Sequence, residues 1–432
     1  MTSRRRVLSG LATVAFAGAS GCSALPFGSD EQDGPDDVSL SPDMIGSIEW
    51  PPSPFPITVP AKVADSHEER ARELLAAVPE DPDVPNSAVA ASLQSDREHA
   101  ADRLTEAFEE PWPREQLSEW RSRREAAATV RGAYRAAIGE DDAEAVANRR
   151  ETLREVLHSF IAAHEYRASS PIEAVLAHAP LEDLIADCRR RVRPTPVYPS
   201  APVSEPFQAG DAVGRVEHAQ ATLTDARRLR EAYLSERTDP PSQWSRLIES
   251  SDRLRFAVHR TQSSVREFLD ADERPFRADL SGTAGRWLYD DAKRRVESAV
   301  EDHDANRADG NYATAVVEAG QALAAIEAFR TVIDGLREGA YQEPVTAESV
   351  RQTAARAREA LEAIETAEDR RLAALIARPV LGVFAYGADM IEDGYADPVR
   401  MQAELARAEL YARAVPAATA FVLERLESGT GR

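Results

Sequence analysis

Apolar side chains recur every three or four residues along most of the chain, which is the spacing of one face of an α-helix. The last predicted helix shows the pattern most clearly, at Met401, Leu405, Ala408, Ala412, Val415, Thr419, Val422 and Leu426. No alternating β-branched run of strand length competes with it. The pattern therefore predicts an all-α protein, with helices over 62–78, 86–110, 114–138, 141–168, 171–192, 209–237, 241–271, 284–308, 311–338, 346–377, 379–393 and 398–427.

The boundaries of the predicted helices carry residues that start and stop helices. The sequence Ser-Pro-Ile-Glu at 170–173 combines a capping box with proline at the first helical position. Asp239 and Asp397 each precede a proline and are typical of helix N-termini, whereas Gly139 is typical of a C-terminus. A repeat averaging 3.5 residues aligns neighbouring helix axes, and short connections such as 309–310 make them antiparallel. We therefore expect long antiparallel helices packed as a helical bundle or an elongated helical array.

A proline-rich stretch interrupts the helical pattern near the middle of the chain. Five prolines lie between Arg193 and Gly210, and no helix-length apolar pattern runs through them. Such a stretch is typical of a linker. It predicts a Pro-rich linker over 194–208, which divides an N-terminal helical half (61–193) from a C-terminal helical bundle (209–432).

The first twenty-two residues have the layout of an export signal. Arg4 and Arg5 precede a mildly apolar run over 7–21 that ends in small residues before Cys22. A membrane-spanning helix needs about 20 strongly apolar residues, so this run is typical of a cleavable signal peptide over 1–21. The layout resembles twin-arginine export signals joined to a lipoprotein box. The resemblance implies that Cys22 is lipidated and anchors the protein to the outer face of the cell membrane. A chance cysteine after an ordinary signal peptide is the alternative.

The charge composition indicates the solvent in which the protein works. The chain has 74 Asp and Glu against 52 Lys and Arg, and only Lys62 and Lys293 are lysines. This balance resembles the proteins of extremely halophilic archaea, because salt at about 1 M screens self-repulsion beyond about 3 Å. The formal net charge of −22 also argues against a nucleic-acid partner. Together with the N-terminus, it resembles a haloarchaeal exported lipoprotein with a helical ectodomain.

The segment that follows the proposed lipid site has the composition of a spacer. Residues 22–60 are acidic and rich in proline, including an acidic run over 30–37 and four prolines over 51–56. Such a segment buries too little apolar surface to fold by itself, so we expect a disordered spacer. Two interpretations remain for Trp50 and Phe55, which either pack onto the helical part or form a short partner-binding segment.

Residue patterns that carry catalysis or bind metals are sparse. No zinc-protease, nucleophile-elbow, phosphate-loop or dinucleotide motif occurs, so we predict no catalytic residue, no metal and no cofactor. Glu155 and His158 have the spacing of one di-iron helix, but the second copy that such bundles need is missing. His164 and Cys188 both fall on apolar helical faces, which favours core positions over a ligand or a reactive thiol.

The most apolar part of the chain after the signal is the segment over 378–395. Its favoured interpretation is a central buried helix. The alternative is a ligand- or partner-facing surface that uses Phe384, Tyr386, Asp389 and Tyr395. Residues 281–287 would then form a second side of that site.

Three classes of function follow from these patterns. The first is a membrane-anchored, externally facing lipoprotein that acts as a helical interaction or structural protein of the cell envelope. Its partners would be the membrane, through lipidated Cys22, and an envelope protein that the sequence does not identify. The second is a ligand-binding lipoprotein associated with a transporter, and the third is an enzyme. The absence of a catalytic motif favours the first.

Overall fold

The computed structural model describes residues 38–108, 112–194, 197–271, 280 and 282–428. Within these residues the chain is mostly helical and contains no β-strand, so the predicted all-α class is confirmed. The α-helices in chain order are α1 (Pro42–Ile45), α2 (Ala61–Ala76), α3 (Ser87–Arg103), α4 (Pro113–Ala137), α5 (Ala143–Ala162), α6 (Pro171–Arg191), α7 (Pro206–Ser235), α8 (Trp244–Gln262), α9 (Arg266–Leu269), α10 (Ala284–Ala308), α11 (Tyr312–Arg337), α12 (Ala347–Glu362), α13 (Arg370–Leu381), α14 (Val383–Glu392) and α15 (Pro398–Glu427).

The helix predicted over 346–377 is two helices in the structure. α12 is followed by a 3-10 turn (Ala363–Thr366), and α13 begins directly after Asp369. The Asp369 carboxylate accepts hydrogen bonds from the backbone N–H groups of Arg371 and Leu372, at 3.0 and 2.9 Å. These bonds satisfy two of the N–H groups that a helix leaves unpaired at its start, so a new helix begins there.

The next predicted boundary, at Pro379, is also displaced. α13 runs through Pro379 and ends at Gly382, which separates it from α14. Proline removes the N–H that the Leu375 carbonyl would accept within the helix. In the structure, Gln321 Nε2 donates to that carbonyl at 3.0 Å instead, so a neighbouring helix compensates for the proline.

The helices α2 to α7 pack together around the contact between α4 and α7. Glycines form this contact. A Cβ atom at Gly210 would lie 2.4 Å from the backbone oxygen of Thr129, and one at Gly214 would lie 2.2 Å from Thr129 Oγ1. Only glycine therefore allows the two helices to approach this closely.

This packing corrects the predicted boundary between the two halves. α7 begins inside the predicted linker over 194–208 and packs with α4 and α6, which precede it. It therefore belongs with the N-terminal half (predicted as 61–193) and not with a C-terminal bundle over 209–432. A proline-rich stretch shows where the helical pattern stops, but it does not determine which neighbours the next helix contacts. The described residues from Val38 onward form one compact unit.

The remaining long helices pack around α11 and α15. A Cβ atom at Gly320 of α11 would lie 2.5 Å from Ile376 Cδ1, so α13 and α11 are in close contact. The Tyr411 hydroxyl of α15 is fully enclosed and donates to the Ile376 carbonyl at 3.0 Å. α11 and α15 thus supply the centre of the main hydrophobic core.

Residues 38–60 pack against the helices, which corrects the predicted disordered spacer for this part. Trp50 meets Trp112 edge to face, with ring centroids 5.4 Å apart. The Arg114 guanidinium lies 5.2 Å from the centroid of the Phe55 ring. The expectation that Trp50 and Phe55 pack onto the helical part is confirmed. Local composition could not reveal this, because the surface that covers these rings is formed by helices distant in sequence.

The N-terminal predictions fall on residues that the structure does not describe. The signal peptide over 1–21, with Arg4 and Arg5, lies outside the described residues. So does the lipid-attachment residue Cys22, together with 23–37 of the predicted spacer. These remain predictions.

Candidate interaction surface

The apolar segment predicted as a candidate site forms the end of α13 and all of α14. Phe384 is 2% exposed and belongs to the main core, so its prediction as a surface residue is wrong. The reason is the short helix itself, which turns Phe384 and Gly387 inward. A Cβ atom at Gly387 would lie 3.0 Å from Ile45 Cδ1 and 3.1 Å from Met401 Sδ, so α14 contacts both α1 and α15 closely.

The opposite side of α14 is accessible to solvent. Tyr386 is 51% exposed and Tyr395, just beyond the helix, is 74% exposed. Asp389 lies between them and is half-buried, while Glu392 and Asp393 are exposed. We call these five residues the α14 surface. Tyrosine supplies a large apolar ring with a polar hydroxyl. This combination suits a contact surface that is exposed to water when no partner is bound.

The predicted second side of the site reaches the start of α15. The Arg400 guanidinium lies 4.2 Å from the centroid of the Trp287 ring, which brings α10 beside the first turn of α15. Gly285 is buried, and its N–H donates to the Tyr341 carbonyl at 2.9 Å. Part of the segment over 281–287 is therefore structural, and Ser281 lies outside the described residues.

The N-terminal residues of the described chain lie against α14. α1 contacts both α12 and α14. Ile45 is fully buried, and its carbonyl accepts a hydrogen bond from Arg358 Nη1 at 2.9 Å. The described part of the chain thus begins close to the α14 surface.

One segment among the described residues, Arg370–Glu392, is long and apolar enough to cross a membrane by length and composition. It comprises α13, Gly382 and α14, and 56% of its most apolar window is buried inside the protein. Buried core helices meet the same criterion. The burial agrees with the favoured interpretation of a central helix.

A buried ionic cluster, which sequence analysis missed, joins α2, α4 and α7. Asp225 is fully buried, with Arg121 Nη1 at 2.8 Å and His67 Nε2 at 2.9 Å from its carboxylate oxygens. Both partners are themselves buried. The three residues are more than fifty positions apart along the chain, so no local pattern could have indicated the cluster.

A second carboxylate extends the cluster along α7. Glu217 is 1% exposed and accepts hydrogen bonds from Arg124 at 2.6 Å and from Arg149 at 2.7 Å. Burial by itself would raise the pKa of Glu217, but the charges of Arg124 and Arg149 outweigh burial and lower the pKa to about 2. The carboxylate is therefore charged and fully used in holding α4 and α5 to α7, which leaves it no role as a proton donor.

A carboxyl group with a pKa raised to about 7 lies where α6 meets the start of α11. Glu182 is 2% exposed and accepts the backbone N–H groups of Ala313 and Thr314, at 3.2 and 2.6 Å, and the Tyr166 hydroxyl. Burial raises the pKa of Glu182 to about 7, although these hydrogen bonds oppose the shift. Raised carboxyl pKa values occur in active sites, but this group caps a helix and is enclosed. Its chemistry is therefore structural.

This pKa predicts a pH dependence of stability. The folded-state pKa of Glu182 lies above the ordinary value of 4.5, so the folded protein binds more protons than the unfolded chain between about pH 4.5 and 7. Glu182 therefore contributes to the free energy of unfolding at low pH, and this contribution is lost as the pH rises to 7. Between pH 5 and 7 we expect the free energy of unfolding to fall less for the Glu182→Gln variant than for wild type. Urea denaturation in molar KCl measures this difference.

The control for this prediction is Glu231→Gln, on an exposed face of α7, which should follow wild type. Equal slopes for all three proteins would contradict the prediction.

Metal-ligating and nucleophilic side chains do not form a cluster in the described part of the chain. No group of three His, Cys, Asp or Glu residues that could hold a metal ion is found there. Glu155 and His158 are both exposed. His164 and Cys188 are buried, as expected for core residues. Burial lowers the pKa of His164 to about 3 and raises that of Cys188 to about 12, so both side chains are neutral at pH 7.

An open groove runs between α5 and α7. It has a volume of about 480 Å³ and is lined by both apolar and polar side chains, among them Leu153, Val156, Thr152, Gln220 and Arg227. Small-molecule sites have volumes of roughly 300–1,000 Å³, so the groove is large enough for a small ligand. None of the residues predicted as a binding surface lines it.

Comparison with known proteins divides the chain into two parts. Residues 62–239 match the model of a domain of unknown function (DUF8262), and residues 244–424 match that of another (DUF8264). The two matches meet in the loop between α7 and α8, which agrees with the assignment of α7 to the N-terminal part. No curated protein and no solved structure matches the chain.

Proposed function

We propose that the protein is a lipid-anchored lipoprotein on the outer face of the cell membrane, which holds an envelope protein through the α14 surface. The observation that carries the proposal is the exposure of Tyr386 and Tyr395 close to α1. Two large exposed aromatic side chains near the start of the described chain suit a contact with a neighbouring membrane protein.

The length of the tether supports this arrangement. Sixteen residues lead from Cys22 to Val38. An extended chain spans at most about 3.5 Å per residue, so Val38 would stay within roughly 55 Å of the lipid. Asp389, Glu392 and Asp393 give this surface a negative charge, which disfavours direct contact with anionic lipid and favours a protein partner.

A transporter-associated, ligand-binding lipoprotein is the second candidate. The groove between α5 and α7 supports it, because about 480 Å³ is enough for a small ligand. The two functions make different demands on the protein. The first requires the α14 surface to contact a protein, whereas the second requires the groove to bind a small molecule.

Site-specific photocrosslinking on native membranes at molar salt tests the first proposal. The chain has only two lysines, so amine-reactive reagents would sample few positions. We therefore expect p-benzoylphenylalanine in place of Tyr395 to crosslink to one envelope protein, identified by mass spectrometry. The matched control is the same residue in place of Phe256, which is 71% exposed on α8 and should not capture that protein.

The anchor is tested with the same preparation. In the wild type, mass spectrometry of the mature N-terminus should find lipid on Cys22, and the Cys22→Ser variant should leave the membrane fraction. Capture of only further copies of this chain, or capture equal at positions 395 and 256, would contradict the role proposed for the α14 surface. An unlipidated Cys22 would contradict the anchor.

A further inference from the structure

Two arginines at the junction of α5, α6 and α7 have buried N–H groups without acceptors. Arg150 of α5 is 8% exposed, and its Nε and Nη2 atoms are fully enclosed and have no hydrogen-bond partner. The Nε atom of Arg215, on α7, is in the same condition. Buried guanidinium groups are normally paired, because an uncompensated buried charge is strongly destabilising.

The charged groups nearby do not neutralise Arg150. Burial lowers the pKa of Arg150, and the positive charges of Arg154 and Arg215 lower it further. A guanidinium nevertheless stays protonated in proteins. Arg154 has its own partner, Glu151, at 2.8 Å, and Arg215 Nη2 reaches only the Arg190 carbonyl at 3.4 Å. Among the described residues, no carboxylate forms an ion pair with Arg150.

The geometry of the guanidinium indicates what would complete the site. Nε and Nη2 form one edge of the group, and this edge donates two parallel hydrogen bonds to a single acceptor group. Water could accept these bonds but would leave the charge uncompensated. A small anion satisfies both the N–H groups and the charge, and the guanidinium plane suits oxyanions well.

We propose that Arg150 and Arg215 form a binding site for a small inorganic anion, chloride or an oxyanion such as sulfate, at the junction of α5, α6 and α7. The bound anion stabilises the packing of these three helices. The site is independent of the α14 surface and of the lipid anchor, so it stands whether or not the proposed function is correct.

The test compares anions at a fixed potassium concentration, because cations screen the acidic surface and would mask an anion effect. Unfolding temperatures of the full-length protein are measured in potassium chloride, potassium sulfate and potassium gluconate, the last supplying a bulkier organic anion. We expect wild type to unfold at least about 2 °C higher in chloride or sulfate than in gluconate. The difference should disappear in Arg150→Met, which fills the same space without charge or donors.

A paired arginine supplies the control. Arg135 donates to the Asp142 carboxylate at 2.8 Å, so Arg135→Met should keep the anion response of wild type. An Arg150-dependent response to sulfate as well as chloride identifies an oxyanion site, and a response to chloride alone identifies a halide site. A difference that persists in Arg150→Met would overturn the proposal, since the anion would act elsewhere or on the solvent.

Chloride-35 NMR gives a second measurement that does not depend on the folding of the variant. We expect wild type to broaden the chloride line relative to a protein-free solution with the same potassium chloride concentration. Added sulfate or bromide should reduce that broadening by competition. No competable broadening together with equal unfolding temperatures in all three salts would also overturn the proposal.

Discussion

We expect Asp225→Ala to lower the free energy of unfolding by about 3–5 kcal/mol, because it breaks a buried ion pair. Asp225 is fully buried and is the carboxylate between Arg121 and His67. Alanine would leave the Arg121 charge enclosed without a counterion and the ring of His67 without its partner. Urea denaturation in molar KCl, followed by circular dichroism, measures the loss.

An exposed ion pair and a full replacement of the cluster serve as controls. Asp252→Ala removes a half-exposed aspartate paired with Arg307 and should cost less than about 1 kcal/mol. Changing Asp225, Arg121 and His67 together to leucine, methionine and leucine should recover most of the loss, because apolar groups of similar volume replace buried ion pairs well. The explanation fails if Asp225→Ala costs no more than Asp252→Ala.

We expect Gly210→Ala to destabilise the protein by about 2 kcal/mol, although alanine is the better helix former. The added methyl would lie 2.4 Å from the Thr129 backbone oxygen and 3.0 Å from Ala133 Cβ. A backbone atom cannot move aside as a side chain can, so α4 and α7 would have to separate. The same denaturation experiment measures this effect.

The matched control is a glycine in another long helix with room for a methyl group. At Gly335 of α11, an added Cβ would meet only Ala340 Cβ, at an ordinary 3.6 Å. Gly335→Ala should therefore stabilise the protein by up to about 1 kcal/mol through helix propensity. A loss of stability in Gly210→Ala together with a gain in Gly335→Ala supports the close-contact explanation. A gain in stability in both variants would contradict it.

The helices themselves could be predicted because their signals are local. Apolar spacing, the Ser170 N-cap and Pro398 after Asp397 each act within a few residues, and α6 and α15 begin where these signals predict. The predicted capping box is only half formed, because the Glu173 carboxylate accepts the N–H of Ser169 and not that of Ser170. The breaks at Asp369 and Gly382 were harder to predict. A proline at 379 looked like a start signal, and the acceptor it leaves unpaired is satisfied by Gln321 on a different helix.

The candidate surface was only partly predictable for a similar reason. Composition marked 378–395 as unusual, and Tyr386 and Tyr395 are exposed as a contact surface requires. Phe384 lies on the same short helix but faces the core. A helix of ten residues carries too few positions for the sequence to distinguish its buried side from its accessible one.

By itself, the sequence determined the all-α class, most helix positions and the core placement of His164 and Cys188, because apolar periodicity and capping act over one or two turns. Only the tertiary structure decided that α7 belongs with the N-terminal helices and that residues 38–60 pack onto the surface. It alone also decided which buried charges are paired and which, at Arg150, are not. Those features depend on contacts between residues far apart in the chain, where the energy comes from burial and charge pairing that no local pattern records.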